Sequence, residues 1–268
     1  MRKIIALLPL LLLSTPVIAS ATPWQDVAPG VRLRLISNDI RAPDGSTLIG
    51  LELDMPQNFK TYWRQPGESG IATELDIAGS SGLASPTIQW PFPTPETSNG
   101  LLDYVYRGPT VLPVSLKVTG PSSQLQAAVT MGVCSDICVP VRASFSLPLP
   151  LGAPDVADDI RLKQALSLTP IPWTRDAAPF KGVTFDARAQ ALRVDAVDAS
   201  IDPGSVIATT SDPTVVFDAP QKSPDGRSIL LPLRGANVTT GWAATPIQLT
   251  FMTAMGSFEV SQRVTVAP

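Results

Sequence analysis

Proline limits the secondary structure of this chain more than any other residue type. The 268 residues include 28 prolines and 18 glycines, which separate short runs rich in Val, Ile, Leu and Thr. Proline lacks a backbone N–H donor and ends regular structure, so frequent prolines and glycines are typical of short strands or helices separated by turns. The runs between the breaks have the length and composition of β-strands. The sequence therefore predicts an all-β chain with frequent turns.

The predicted strands fall into two regions separated by one helical segment. In the first region, strands are predicted at 31–37, 47–56, within 74–91 as two strands, and at 111–119, 125–133 and 143–151. Between the regions, apolar residues recur at mostly helical spacing after Asp155, a predicted N-cap, and Pro170 ends this helix. Strands return in the second region, where Met255-Gly256-Ser257 predicts a hairpin turn. The expected organisation is two β-sandwich domains, at 22–152 and 174–268, joined by a helix and linker at 153–173.

The first 21 residues have the pattern of a secretory signal peptide. Arg2 and Lys3 precede a short apolar run, and the small residues from Ala19 to Ala21 suit signal peptidase. The apolar run is too short to span a bilayer comfortably, and no later segment has the length and apolar character of a membrane helix. We therefore expect an exported protein, cleaved after about Ala21, with no stable membrane insertion.

The absence of histidine excludes several classes of site. The chain contains none, which removes the commonest general base, every Ser-His or Cys-His nucleophile pair, and zinc or haem sites that need imidazole. The formal net charge is −3 and no basic run is present, so nucleic acid is not an expected partner. We expect neither a cofactor nor a resident metal.

The chemistry of this chain is concentrated in its two cysteines, Cys134 and Cys138. The predicted strands on either side place the pair at the end of a hairpin. Ser135 and Asp136 favour the sharp turn that a disulfide between such close residues requires. Pro140 falls at the start of the return strand, where a missing N–H does least harm. An exported chain meets an oxidising compartment, so a disulfide can form.

Three roles are open to this cysteine pair on chemical grounds. A purely structural bond would close a loop of about five residues and contribute only ~2 kcal/mol, against ~4.7 kcal/mol for a loop of about a hundred residues. A Cu(I) site is possible because Met131 and the two cysteines form a soft sulfur set, although methionine in an apolar strand usually fills the core. A redox couple is the third role, since a tight loop can make a disulfide easier to reduce.

The neighbours of the pair predict which kind of redox role is possible. A strongly attacking thiolate needs a lowered pKa, which usually comes from a nearby cation or a helix N-terminus. Asp136 lies between the cysteines and would raise the thiol pKa, whereas Arg107 or Arg142 would lower it if either approached in space. The pair is therefore better suited to a relay that a partner's thiolate attacks than to a strong attacking thiol.

Four motifs in the first region occur in a fixed order, namely TYWRQPGESG (61–70), IQWPFPTPE (88–96), YVYRGPTVLPVSLKV (104–118) and CSDICVP (134–140). In this order and spacing they resemble the N-terminal periplasmic domain of the DsbD family, which includes the ScsB-type proteins linked to copper tolerance. The resemblance spans about 24–151, and the segment ending in TPIPW is similar to the one that follows in ScsB-type chains.

This resemblance implies an immunoglobulin-like sandwich that carries one reversible disulfide, with Cys134 and Cys138 as the redox pair. The expected fold is then two immunoglobulin-like β-sandwich domains joined by a short helical linker. The implied partners are a membrane-embedded electron donor of the DsbD/CcdA type and periplasmic thioredoxin-like oxidoreductases. Clients would be such oxidoreductases or apoproteins awaiting a cofactor, as in cytochrome c biogenesis. The sequence contains no membrane domain and no thioredoxin C-x-x-C motif, so the donor is expected to be a separate protein.

The resemblance also implies roles for four aromatic or charged residues. In the family, a loop matching about 97–106 carries aromatic side chains that shield the disulfide, which makes Tyr104 and Tyr106 the candidates here. Trp63 and Arg64 lie in another family motif, and we expect them to be structural. Trp63 would be a buried ring with a polar contact, and Arg64 would form an ion pair that orders a loop.

Overall fold

The computed structural model describes four stretches of the chain, residues 20–149, 155–223, 228–235 and 246–267. Within them, twenty β-strands form four sheets and there is one α-helix, which confirms the predicted all-β class. The predicted signal peptide lies outside the described residues except for its last two positions, and so does the predicted domain boundary at residue 152.

The first eleven strands build a sandwich of two sheets. These strands are β1 (Gln25–Ala28), β2 (Val31–Ser37), β3 (Ser46–Asp54), β4 (Lys60–Gly67), β5 (Glu74–Asp76), β6 (Leu83–Ile88), β7 (Thr94–Ser98), β8 (Leu101–Arg107), β9 (Thr110–Val118), β10 (Ser123–Cys134) and β11 (Cys138–Leu149). The first sheet has the order β1-β2-β3-β9-β6. The second has the order β11-β10-β4-β8-β7, and β5 pairs with β10 as well. One hydrophobic core between the sheets joins residues of both.

Strand β2 illustrates why the sequence folds into such sheets. Leu33 and Leu35 are fully buried in the core, whereas Arg34 between them points outward and pairs with Glu52 of β3. This alternation is the period of two that a half-buried strand requires. The strand predicted at 31–37 is confirmed with the same bounds.

The helix α1 (Val156–Leu166) starts where the sequence predicts. Asp155 is its N-cap and accepts a hydrogen bond from the Asp158 backbone N–H at 3.0 Å. Leu162 is fully buried and packs above Gly50 of β3, on the face of the first sheet that points away from the sandwich core. The linker helix is therefore also a layer of the first domain. No helix in the described residues is long and apolar enough to cross a membrane.

The remaining strands build a second sandwich. These strands are β12 (Ile171–Pro172), β13 (Phe180–Asp186), β14 (Ala191–Ala196), β15 (Ile207–Thr209), β16 (Gln221–Lys222), β17 (Ile229–Pro232), β18 (Ile247–Thr253), β19 (Gly256–Gln262) and β20 (Val264–Ala267), and a 3₁₀ turn lies at Pro203–Ser205. One sheet has the order β12-β19-β18-β15 and the other β16-β17-β14-β13-β20. A separate core fills the space between them. The predicted hairpin is confirmed, because Thr253 pairs with Gly256.

The two sandwiches contact each other directly. Ile207 of β15 is buried within the core of the first sandwich. The Tyr104 hydroxyl lies 3.5 Å from the Phe217 carbonyl oxygen, and the Gln65 side chain donates a hydrogen bond to the Pro213 carbonyl at 2.7 Å. Strands β4 and β8 of the first domain therefore form part of the contact with the second.

The docking of α1 leads to a prediction about stability. Leu162→Ala should lower the free energy of unfolding by about 2–4 kcal/mol, because a fully buried side chain is replaced by a cavity between the helix and the sheet. Urea denaturation followed by tryptophan fluorescence measures this change. Ile160→Ala is the matched control on the same helix, since Ile160 is 51% exposed and its truncation should cost less than about 0.5 kcal/mol. Equal losses for the two variants would contradict the described docking.

Candidate functional site

The disulfide lies at the end of the longest hairpin of the structure. Strands β10 and β11 pair without interruption over twelve residue pairs, of which Cys134 with Cys138 is the last. The cysteines are bonded and their Cα atoms are 4.1 Å apart. Pro140 lies opposite Gly132 on β11, an edge strand, where proline is tolerated. The three residues of the turn, 135–137, are exposed.

The two cysteines differ in exposure. Cys134 is fully buried, and its side chain lies with Tyr62 and Val105 on the face of the sheet away from the sandwich core. Cys138 is exposed, and its neighbours Ile137 and Val139 are 75% and 41% exposed. A thiolate from another molecule can therefore approach the disulfide from the Cys138 side.

Tyr62 of β4 contacts both sulfur atoms. Its hydroxyl oxygen lies 2.8 Å from Cys134 Sγ and 3.0 Å from Cys138 Sγ. Disulfide sulfurs carry no hydrogen, so the phenol O–H must be the donor. Burial raises the pKa of Tyr62 above its ordinary value, although the nearby Lys60 acts in the opposite direction. The phenol therefore keeps its proton at neutral pH and remains a donor.

The Tyr62 ring lies in a slot between two glycines. A Cβ atom on Gly70 would lie 2.2 Å from ring Cδ1, and one on Gly132 would lie 3.1 Å from ring Cδ2. The missing side chains thus allow the backbone to approach both sides of the ring. The Gly132 N–H donates to the Ile71 carbonyl at 3.2 Å, which links the two walls of the slot. This packing fixes the position of the hydroxyl above the sulfurs.

A buried cation lies beside the tyrosine. The Lys60 ammonium is 2.9 Å from Glu96 Oε1, 3.3 Å from Asp103 Oδ2 and 5.7 Å from the centroid of the Tyr62 ring. Burial alone would lower the pKa of Lys60, but the hydrogen bond to Glu96 and the charges of Glu96 and Asp103 raise it overall. Lys60 therefore stays charged, and in the sheet it pairs directly with Cys134.

The charged residues selected from the sequence lie elsewhere. The Arg107 side chain donates to Glu96 at 2.7 Å, and Arg142 lies exposed on β11 opposite Thr130. Asp136 is exposed in the turn between the cysteines. Its effect on the thiol pKa stays a prediction. The cation next to Tyr62 is Lys60, which directly precedes the TYWRQPGESG motif, and no pattern in the sequence indicates its role.

Tyr104 and Tyr106 lie on the opposite face of the sheet from Cys134. Both rings are buried in the sandwich core, where Tyr104 packs edge-on against Trp63 at 5.7 Å and the Tyr106 hydroxyl donates to the Pro91 carbonyl at 2.7 Å. Val105 between them faces Tyr62. Residues 97–106, which were expected to form a shielding loop, instead make up most of the β7–β8 hairpin. The aromatic contact to the disulfide is thus made by Tyr62, which lies on the opposite face of β4 from Trp63 because neighbouring residues of a strand point to opposite faces.

Trp63 and Arg64 connect the site to the second domain. Trp63 is fully buried, and no hydrogen-bond partner for its Nε1 lies among the described residues. Arg64 lies 4.4 Å over the Trp63 ring and pairs with Glu259 of β19 at 3.2 Å. Arg64 Nη2 also donates a hydrogen bond to Thr250 Oγ1 of β18, at 3.1 Å. The ion pair thus joins two domains, whereas the sequence predicted that it would order a loop.

The proposed sulfur set for Cu(I) is not assembled. Met131 is buried in the sandwich core, whereas Cys134 lies on the other face of the same strand. In the part of the chain that the structure describes, no group of three or more His, Cys, Asp or Glu side chains is arranged to hold a metal ion.

Most of the chain has a fold similar to that of one solved structure. The N-terminal periplasmic domain of ScsB from Proteus mirabilis matches with a TM-score of 0.71 and 21% sequence identity, over 92% of this chain and 99% of that chain. At this identity the likeness shows the fold alone, and its extent covers both sandwiches. The periplasmic chaperone SfaE (TM-score 0.22, 11% identity, 89% of this chain and 100% of that chain) matches too weakly to carry an argument. Comparison with curated protein sequences gave no significant match.

The first sandwich also matches a protein family by sequence. Residues 34–150 match the family model described as thiol:disulfide interchange protein DsbD, N-terminal. The matched stretch includes the cysteines, Tyr62 and the glycine slot around its ring. Residues 34–150, with the disulfide at the end of their last hairpin, are therefore a DsbD-type N-terminal domain.

Proposed function

We propose that this chain is a periplasmic thiol–disulfide relay whose Cys134–Cys138 bond is reduced by one partner and re-formed by another. The observation that carries the proposal is the disulfide with one buried and one exposed cysteine and a phenol donor within 3.0 Å of both sulfurs. A bond that only stabilises the hairpin needs neither an accessible cysteine nor a donor. The DsbD-type domain supports thiol–disulfide exchange at the level of the family.

Reduction of the relay begins at the exposed cysteine. The thiolate of a reduced partner attacks Cys138 Sγ, a new S–S bond forms between the two proteins, and Cys134 leaves as a thiolate. The Tyr62 O–H, 2.8 Å from Cys134 Sγ, then donates a charge-assisted hydrogen bond to that sulfur. A leaving thiolate that is stabilised in this way departs faster.

The second half of the exchange completes the transfer of two electrons. The partner's other thiolate attacks its own sulfur in the mixed disulfide, which releases Cys138, and both cysteines take up protons from solvent. The partner is oxidised to a disulfide and the relay is left as a dithiol. A client disulfide accepts the same electrons when Cys138 attacks it and Cys134 then resolves the mixed bond.

Exposed apolar side chains around Cys138 suit brief contact with such partners. Ile137 and Val139 flank it in sequence, and Ile71, next to the glycine slot, is 37% exposed. Partners of the kind proposed are a membrane-embedded donor of the DsbD/CcdA type and thioredoxin-like oxidoreductases. The ScsB similarity and the sequence of the first 21 residues support export to the periplasm.

The difference in exposure predicts which cysteine forms the mixed disulfide. Cys134→Ala leaves the exposed Cys138, which should react with oxidised glutathione at least tenfold faster than the buried Cys134 of a Cys138→Ala variant. Intact-mass spectrometry follows the added glutathione with time. Equal rates in the folded proteins would contradict the proposed point of attack.

The relay should also have a reduction potential typical of exchange proteins. Equilibration of the wild-type protein with glutathione buffers should place it above about −300 mV, since inert structural disulfides lie below that value. A much lower potential would contradict the relay. A double Cys134→Ser, Cys138→Ser variant that keeps full function in cells would instead indicate an immunoglobulin-like binding module.

The contact of Tyr62 with the sulfurs predicts a kinetic effect. Tyr62→Phe should slow reduction of the disulfide by dithiothreitol about tenfold, because a hydrogen bond to a charged group contributes about 1.5–3 kcal/mol. Stopped-flow measurement of the reduction rate gives the effect. Tyr106→Phe is the matched control, because it removes another buried phenol O–H whose partner is the Pro91 carbonyl. Similar slowing in both variants would show that Tyr62 has no specific role.

A further inference from the structure

Besides the contacts of Arg64, an arginine of the second domain itself binds the first domain close to the redox site. Arg234 Nε lies 2.6 Å from Glu68 Oε2, and its Nη2 donates to the Gly100 carbonyl, so the guanidinium binds two separate segments of the first domain. Its Nη1 is 2.9 Å from Asp218 of its own domain. The Arg234 side chain is only 19% exposed. One planar group therefore holds both domains together at this point.

The segment that Arg234 binds is itself tied to strand β8. The Glu68 carboxylate also accepts the Leu102 N–H at 2.8 Å, and the Glu68 N–H donates to the Leu102 carbonyl at 3.0 Å. The next residue, Ser69, donates to Asp103 from its N–H and its hydroxyl, at 3.0 and 2.7 Å. Residues 68–71, called here the clamp segment, are thus held by β8 on one side and by the second domain on the other.

The clamp segment forms one wall of the slot around Tyr62. Gly70 packs directly against the ring, and the Ile71 carbonyl accepts the Gly132 N–H of the opposite wall. The Tyr62 hydroxyl is in turn the donor to both sulfurs. A continuous series of contacts therefore runs from Arg234 to the disulfide.

We propose that Arg234 is a positioning residue by which the second domain sets the reactivity of the disulfide. The inference rests on the proposed relay function. Arg234 holds the clamp segment against Tyr62, and Tyr62 thereby keeps its O–H within reach of the thiolate that forms on Cys134. The arginine is suited to this task because its rigid fork of donors binds three acceptors in different directions, which the single ammonium of a lysine does not.

The direct test compares Arg234→Gln with wild type in the full chain. The variant should show an equilibrium constant for reduction by glutathione at least threefold smaller than wild type. It should also show a higher thiol pKa in the pH profile of thiolate absorbance, because Tyr62 no longer stabilises the thiolate fully. Arg193→Gln is the matched control, since it removes another cation of the second domain, paired with Asp195, and should leave both values unchanged.

A double-mutant cycle separates positioning from a general loss of stability. The effect of Arg234→Gln should vanish in a Tyr62→Phe background, because the arginine acts only through the phenol. Glu68→Gln should shift both values in the same direction as Arg234→Gln, and Arg234→Lys should give intermediate values. If Arg234→Gln does not fold, Glu68→Gln and Arg234→Lys still test the role of Arg234.

The outcomes distinguish this inference from the relay itself. A wild-type protein that does not exchange with glutathione would contradict the proposed function. A wild-type protein that exchanges, together with Arg234→Gln and Glu68→Gln variants whose reduction equilibrium and thiol pKa match wild type, would overturn only the role of Arg234. An undiminished effect of Arg234→Gln in the Tyr62→Phe background would also overturn it.

Discussion

The uninterrupted pairing of β10 with β11 determines the geometry of the site. Side chains alternate between the two faces of a strand, and directly paired residues share a face. Met131 therefore points into the sandwich core, whereas Cys134, three residues later, points to the other face and opposite Cys138. A shift of the register by one residue would separate the cysteines and turn the core side chains of the shifted strand to the other face of the sheet. The position of the disulfide thus depends on the same ladder that builds the sandwich.

Much of the fold follows from local signals in the sequence. Strands such as β2 and β10 bury one face and expose the other, so their apolar residues alternate and their positions can be predicted. The start of α1 is equally local, because Asp155 caps it with its own side chain. The cysteine pair is identifiable because its two members are close in sequence and flanked by such strands. The family resemblance comes from the four motifs, whose order and spacing can also be recognised in the sequence.

The strands that complete the site give no such signal. Strand β4 is buried on both faces at its start, because the core covers Trp63 on one side and the disulfide and glycine slot cover Tyr62 on the other. In a strand that is covered on both faces, apolar and polar residues no longer alternate along the sequence. The role of Tyr62 depends on segments distant in sequence, as does that of Arg234. The apolar run Val215–Phe217 is buried without forming a strand, since the structure has there only a bridge from Phe217 to Leu233.

The slot around Tyr62 has a consequence for how this sequence can vary. Its width is that of one aromatic ring, because the walls at Gly70 and Gly132 carry no side chains. A larger residue at either wall would displace the ring, and a smaller residue at position 62 would leave an empty gap beside the sulfurs. Gly132 lies far along the chain from Tyr62 and Gly70, yet a change at one of the three positions requires a change at the others. Related sequences should keep all three or replace them together.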